Sequence, residues 1–121
     1  MELYIELQDV ILVHAGLNFD LENPFLDTEA MLWTRPWFFK LNRTGKTIIH
    51  GHTPKKLNEI ENDIFEKKEF ICLDNGCVYK DHKTKKMPFA IQKDRIGLGN
   101  LLALELNSYQ LLVVENQEPK N

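Results

Sequence analysis

Two histidines in this chain sit where side chains are usually free to do chemistry. In Ile48-Ile49-His50-Gly51-His52-Thr53-Pro54, an apolar β-branched run reads as a buried strand. Gly51 breaks it and Pro54 fixes the turn that follows, so His52 falls where strand gives way to loop. The same pattern occurs upstream, where Val10-Ile11-Leu12-Val13 runs directly into His14-Ala15-Gly16. Neutral imidazole is the commonest metal ligand near neutral pH, so two strand ends that each carry one describe a shared metal site. They equally describe two unrelated histidines, each satisfied locally. The 38 positions separating His14 from His52 match no local zinc signature, and residue types alone leave both readings open. Arg35, between Trp33 and Trp37, is similarly ambiguous. It is either a surface charge stacked on indole or an anion ligand.

The elements that must position these residues follow from periodicity. Leu3–Leu7 alternates and is joined through Gln8-Asp9 to the apolar run Val10–His14, which predicts a half-exposed strand in a hairpin with a buried one. Residues 16–23 are irregular, and Asp27 or Thr28 offers the N-cap of a short helix carrying Met31, Leu32 and Trp33. Trp37-Phe38-Phe39 with Leu41 would pack that helix on a sheet. Thr47–His50 is a second buried strand and Phe70–Leu73 a third, ending in Asp74-Asn75-Gly76 and continued by Cys77-Val78-Tyr79. Between them, apolar positions 57, 60, 64 and 65 have partial helical spacing. Asn100–Leu106 and Tyr109–Val114 form a hairpin around Asn107-Ser108. Five or six strands with one or two short helices predict an α+β domain with a mainly antiparallel or mixed sheet.

Length and charge remove several functional classes. A chain of 121 residues supports one small core, so residues 1–121 are read as one domain. A net charge of −3 gives no general basic footprint, which argues against nucleic acid as a partner. Six of the fifteen basic residues do fall between Lys80 and Arg95, around His82. They make either a solvated loop or a patch that steers an anionic substrate. Gly97-Leu98-Gly99 lacks the Gly-Lys and helix of a phosphate loop. No apolar run approaches about 18 residues, and the start lacks a basic and apolar leader, so neither membrane span nor signal peptide is expected. Cys72 and Cys77 form no disulfide framework, which points to structural thiols in a reducing cytoplasm.

Four segments, in order, carry a resemblance. Val13-His14-Ala15-Gly16-Leu17, Leu32-Trp33-Thr34-Arg35, Gly51-His52-Thr53-Pro54 and Leu73-Asp74-Asn75-Gly76-Cys77-Val78-Tyr79 resemble the second half of calcineurin-like metallophosphoesterases. The nearest branch is the bacterial and phage-type serine/threonine protein phosphatases with their symmetrical dinucleoside-tetraphosphatase relatives. The family's opening motifs, Gly-Asp-x-His-Gly, Gly-Asp-x-x-Asp-Arg-Gly and Gly-Asn-His-Glu, do not occur in these 121 residues. The resemblance therefore implies the C-terminal portion of such an enzyme, and half of an αββα sandwich.

It further implies roles. His14 and His52 would ligate one of two divalent ions (Mn, Fe, Zn or Ni), Arg35 would hold phosphate oxygens, and His50 and Asp74 would orient the ligand rings from behind. With two of roughly six metal ligands, the chain alone is expected to hold metal weakly or not at all, and to be inactive. The substrate would be a phosphoester, on a phosphoprotein or on a dinucleoside polyphosphate. A different class, a non-catalytic interaction module, also fits. The family sandwich would leave one sheet face, around Val13, Ile49, Cys72 and Leu102, to be covered by self-association. After Gly-His-Thr-Pro the resemblance implies an extended loop, against the helical spacing at 57–65.

Overall fold

The computed structural model describes residues 2–35, 41–77 and 97–116. The expectations for Trp37–Phe39, for Val78-Tyr79, and for His82 within the Lys80–Arg95 run lie outside those residues. The protein is α+β; its described residues form a four-stranded mixed sheet, a two-stranded antiparallel sheet and two α-helices. In chain order the elements are β1 (Tyr4–Glu6), β2 (Val10–Val13), a 3-10 turn (Pro24–Leu26), α1 (Thr28–Trp33), β3 (Thr47–His50), α2 (Leu57–Phe65), β4 (Phe70–Cys72), β5 (Asn100–Glu105) and β6 (Gln110–Glu115).

The first sheet has the order β1-β2-β3-β4. The predicted hairpin is present: β1 and β2 pair antiparallel, closed by Leu7 N–H donating to Val10 O at 2.8 Å. The other two pairings are parallel, with Leu12 opposite Ile49 and Ile49 opposite Ile71. Parallel neighbours need crossover connections, and these carry the helices. The 3-10 turn and α1 lie between β2 and β3, and α2 lies between β3 and β4. Asp27 caps α1 by accepting from Ala30 N–H at 3.0 Å.

The central strands β2 to β4 have buried residues on both faces, which is why they read as continuous apolar runs rather than alternations, whereas β1 at the edge is exposed along its length. Ile11, Val13 and Ile48 pack with Leu17, Phe19 and Met31 on one side. Val10, Ile49 and Ile71 pack on the other with Ile60 and Ile64 of α2, joined by Leu102, Leu104 and Leu111 of the second sheet. The expected make-up of one shared face is therefore corrected. Val13 and Ile49 are buried on opposite sides of the sheet, because Ile49 pairs with Leu12 rather than with Val13, and Cys72 is buried as well. The exposed large apolar residues include Tyr4 and Ile5 of the edge strand β1 and Leu101, Leu112 and Val114 of the second sheet.

Residues 57–65 are helical, as their spacing predicts, rather than the extended loop implied by the resemblance. Ile60 and Ile64, one turn apart, bury against β4 while Phe65 points out at 87% exposure. Asp63 shares the buried face and is held by Lys55 and by Lys68 Nζ at 2.9 Å. The helix ends in a left-handed cap. Lys67 has φ +50, Lys67 N–H donates to Ile64 O at 3.1 Å, and Lys68 N–H donates to Asp63 O at 3.0 Å.

The second sheet pairs Glu105 with Gln110, so its loop is the four residues 106–109 rather than Asn107-Ser108 alone. Asn75 ties this sheet to the first. Fully buried, its Nδ2 donates to Lys55 O (2.9 Å) and Gly97 O (2.6 Å), while its Oδ1 accepts from Asn100 N–H (3.0 Å) and Nδ2 (2.8 Å).

Candidate functional site at the strand ends

Because β2, β3 and β4 are parallel, their carboxyl ends lie along one edge of the sheet. Ligand crevices form at such edges because loops diverge there and leave backbone and side chains facing outward. Pairing continues a residue or two past the strands. Gly51 N–H donates to His14 O at 2.8 Å, Leu73 N–H to His50 O at 2.8 Å, and Lys55 N–H to Asp74 O at 2.9 Å. These bonds place His14, His50, His52 and Asp74 side by side, as the sequence pattern anticipates.

The two predicted ligand rings meet. His14 Nε2 lies 3.2 Å from His52 Nδ1, with ring centroids 5.0 Å apart. Two nitrogens 3.2 Å apart, each about 2.1 Å from one ion, subtend an angle of about 100°, between octahedral and tetrahedral values. The pair therefore has the bite for a common cation. His52 reaches this position through a tight turn: Thr53 N–H donates to Gly51 O at 2.9 Å and His52 itself has φ +73. That is a γ-turn of the uncommon positive-φ kind, a costly conformation for a side-chain-bearing residue.

The surroundings disfavour the charged ring. Burial lowers the His52 pKa, the charges of His14 and Arg35 lower it further, and Asp74 opposes them. A neutral ring keeps a lone pair for a cation. Arg35 thus lies close enough to act on His52 electrostatically. Trp33, expected beside Arg35, packs against His52 in a T-shaped arrangement, with centroids 5.6 Å apart and planes at 82°. His50 is buried, with its pKa pushed down mainly by that burial, and its Nδ1 lies 3.3 Å from Gly51 O. Asp74 Oδ1 accepts from Gly76 N–H at 2.8 Å.

Among the described residues, no group of three or more His, Cys, Asp or Glu side chains converges to hold a metal. The His14/His52 pair has the spacing of two ligands to one cation, and no third such side chain joins it among the described residues. Two contributors escaped the sequence reading. Trp33 looked like an apolar helical position, yet it ends α1 at 64% exposure against His52. Cys72 Sγ lies 3.5 Å from Thr53 O and accepts from Asp74 N–H at 3.4 Å, bracing the His52 loop. Burial pushes its thiol up to about 11, so it stays protonated and unreactive, and both cysteines are free. Position 72, at the end of a strand beside the site, was the available signal.

Beside the histidines opens a largely apolar cleft of about 820 Å³, lined by Ile5, Leu12, Trp33, Leu73 and Leu101. Among the described residues no helix is long and apolar enough to cross a membrane. No family model matches the chain, and no curated protein or solved structure matches it either.

Proposed function

We propose that this chain contributes one portion of a metal-dependent phosphoester hydrolase resembling the serine/threonine protein phosphatases. The observation that carries this reading is the 3.2 Å approach of His14 Nε2 and His52 Nδ1 at the carboxyl ends of parallel strands. In it, the two rings hold one divalent ion (Mn, Fe, Zn or Ni), and polypeptide beyond these 121 residues completes a two-ion centre. When bound, such ions supply positive charge that orients and polarises the phosphate. Arg35 offers its planar fork to the phosphate oxygens, and Asp74 and His50 stiffen the loop on which His52 sits. The free, buried Cys72 thiol fits a reducing cytoplasm.

The apolar cleft favours a second reading, an interaction module. In both readings the isolated chain covers the cleft and Leu101, Leu112 and Val114 by self-association. Light scattering that gives a monomer at high concentration would reject that part.

The decisive experiment assays p-nitrophenyl phosphate hydrolysis by the longest reading frame containing this chain, with each metal in turn. Metal-dependent turnover is expected, abolished in His14→Ala and His52→Ala. Arg35→Ala should lose about 2–4 kcal/mol of transition-state stabilisation. Turnover that ignores the metal, or none with any of the four, rejects the reading.

A further inference from the structure

We propose that Asn75-Gly76 is a modification site, at which parting of the two sheets ends in irreversible deamidation of Asn75. The proposal uses no part of the metal-site reading.

The chemistry belongs to the residue pair. Asn75-Gly76 is the one Asn-Gly step in the sequence. In such a step the glycine backbone nitrogen, having lost its proton to base, attacks the asparagine Cγ. The new N–C bond closes a cyclic imide, the Cγ–Nδ2 bond breaks, and ammonia leaves with a proton taken from water. Water then adds to either imide carbonyl and opens the ring as aspartate or isoaspartate. Over both steps one water is consumed and one ammonia released. Glycine favours the attack because no Cβ crowds its nitrogen.

The fold holds both reacting groups. The peptide plane that carries the nucleophile is pinned at its two polar atoms. Asn75 O accepts from Gly99 N–H at 2.9 Å, and Gly76 N–H donates to Asp74 Oδ1 at 2.8 Å. The side chain is pinned as well, its Nδ2 by the carbonyls of Lys55 and Gly97 and its Oδ1 by Asn100. Attack needs the Gly76 proton gone, Cγ drawn to bonding distance and Nδ2 expelled, and these motions break the bonds just named. The Asp74 carboxylate also disfavours a nitrogen anion beside it. Asn75 is 1% exposed, so the fold keeps the base and water of the reaction away from it.

The restraint and the second sheet go together. Gly97, Gly99 and Asn100 lead into β5 or begin it, so parting that sheet from the first strips most of these bonds at once and admits water. The product does not restore the joint. A carboxylate takes the place of the Nδ2 donor and meets the Lys55 and Gly97 carbonyls with no proton to give. Isoaspartate also adds a methylene to the main chain. The joint therefore opens reversibly until Asn75 reacts, and permanently afterwards.

Ageing the chain at mildly alkaline pH, with and without guanidinium chloride, tests this. Peptide mass spectrometry with electron-transfer fragmentation scores residue 75 as asparagine, aspartate or isoaspartate. Asn107, exposed in the β5–β6 loop and followed by Ser108, is the internal control. Asn75 should convert at least about a hundredfold more slowly in the folded chain than in denaturant, since several hydrogen bonds must break first, while Asn107 should differ far less. Asn100→Ala, which removes one bond of the clamp, should raise the folded-state rate about three- to tenfold. Asp74→Ala, which frees Gly76 N–H, serves if that variant does not fold. Chain converted in denaturant, returned to buffer and separated from unconverted chain by ion exchange should show unstructured NMR shifts over β5 and β6, with those of β2–β4 retained. Unconverted chain from the same sample should regain all of them. Equal rates with and without denaturant, no isoaspartate in denaturant, a variant rate no faster than wild type, or native shifts over β5 and β6 after conversion would each overturn the proposal.

Discussion

His14 and His52 reach the same point by opposite backbone routes. His14 simply prolongs β2, its carbonyl still accepting the next rung of the parallel ladder from Gly51. His52 is thrown there by a γ-turn with φ +73, in a conformation that costs about 1–3 kcal/mol. One ring position follows from strand direction alone, while the other stores strain that its neighbours must hold. The Gly51, Thr53 and Lys55 backbone bonds and the Cys72 thiol do the holding. A site built this way has one inexpensive arm and one arm that depends on everything packed behind it.

The largest break in that comparison removes the platform shared by both arms. Ile48 is fully buried between them on β3, and Ile48→Ala should cost about 2–5 kcal/mol in urea unfolding. Leu112→Ala, at a site 57% exposed on the outlying sheet, should cost less than about 1 kcal/mol. Comparable losses would show that the parallel trio is not the stabilising unit.

Acid should act on the His52 arm through Asp63, which grips Lys55 just beyond the loop. Burial alone would raise the Asp63 pKa, but hydrogen bonds and charge from Lys55 and Lys68 outweigh it and the result is lowered from 3.8. A carboxyl with a depressed folded-state pKa contributes stability above its unfolded value and loses it as pH falls through the folded one. Stability should therefore fall below about pH 4, and Asp63→Asn should flatten that limb while costing about 1–3 kcal/mol at neutral pH. An unchanged acid limb in the variant would detach Asp63 from the arm.

The smallest effect is the sharpest, because one substitution should change sign between the two positions. His52→Gly relieves the positive φ and should stabilise by about 1 kcal/mol. His14→Gly, where φ is not positive, should destabilise by about 0.5–1 kcal/mol. Equal signs in thermal unfolding would remove the distinction between the arms.

Much of this was legible in the residues. The hairpin of β1 and β2, the helix cap at Asp27 and the meeting of His14 with His52 follow from apolar runs ending in polar, turn-forming residues. What was not legible depended on distant partners. The inward face of α2 was masked because Asp63 breaks its apolar stripe, and only Lys55 and Lys68 make that burial tolerable. The division of Val13 and Ile49 between two faces was hidden because a sheet covered on both sides shows no alternation. Nothing in a histidine's own preferences announces a positive φ at position 52.

Asn75 gives the molecule a property of motion rather than of structure. Its one side chain holds the end of the His52 loop at Lys55 and the start of β5 at Asn100. Breaking either set leaves one end of a buried amide short of a partner, so each opening carries a penalty that opening both together would share. The second sheet and the strained loop should therefore exchange their amide protons as one cooperative unit, with a common rate and a common denaturant dependence. Whatever grips the outlying sheet would then slow the fluctuations of His52, and a cation held at His52 would quiet the sheet in return.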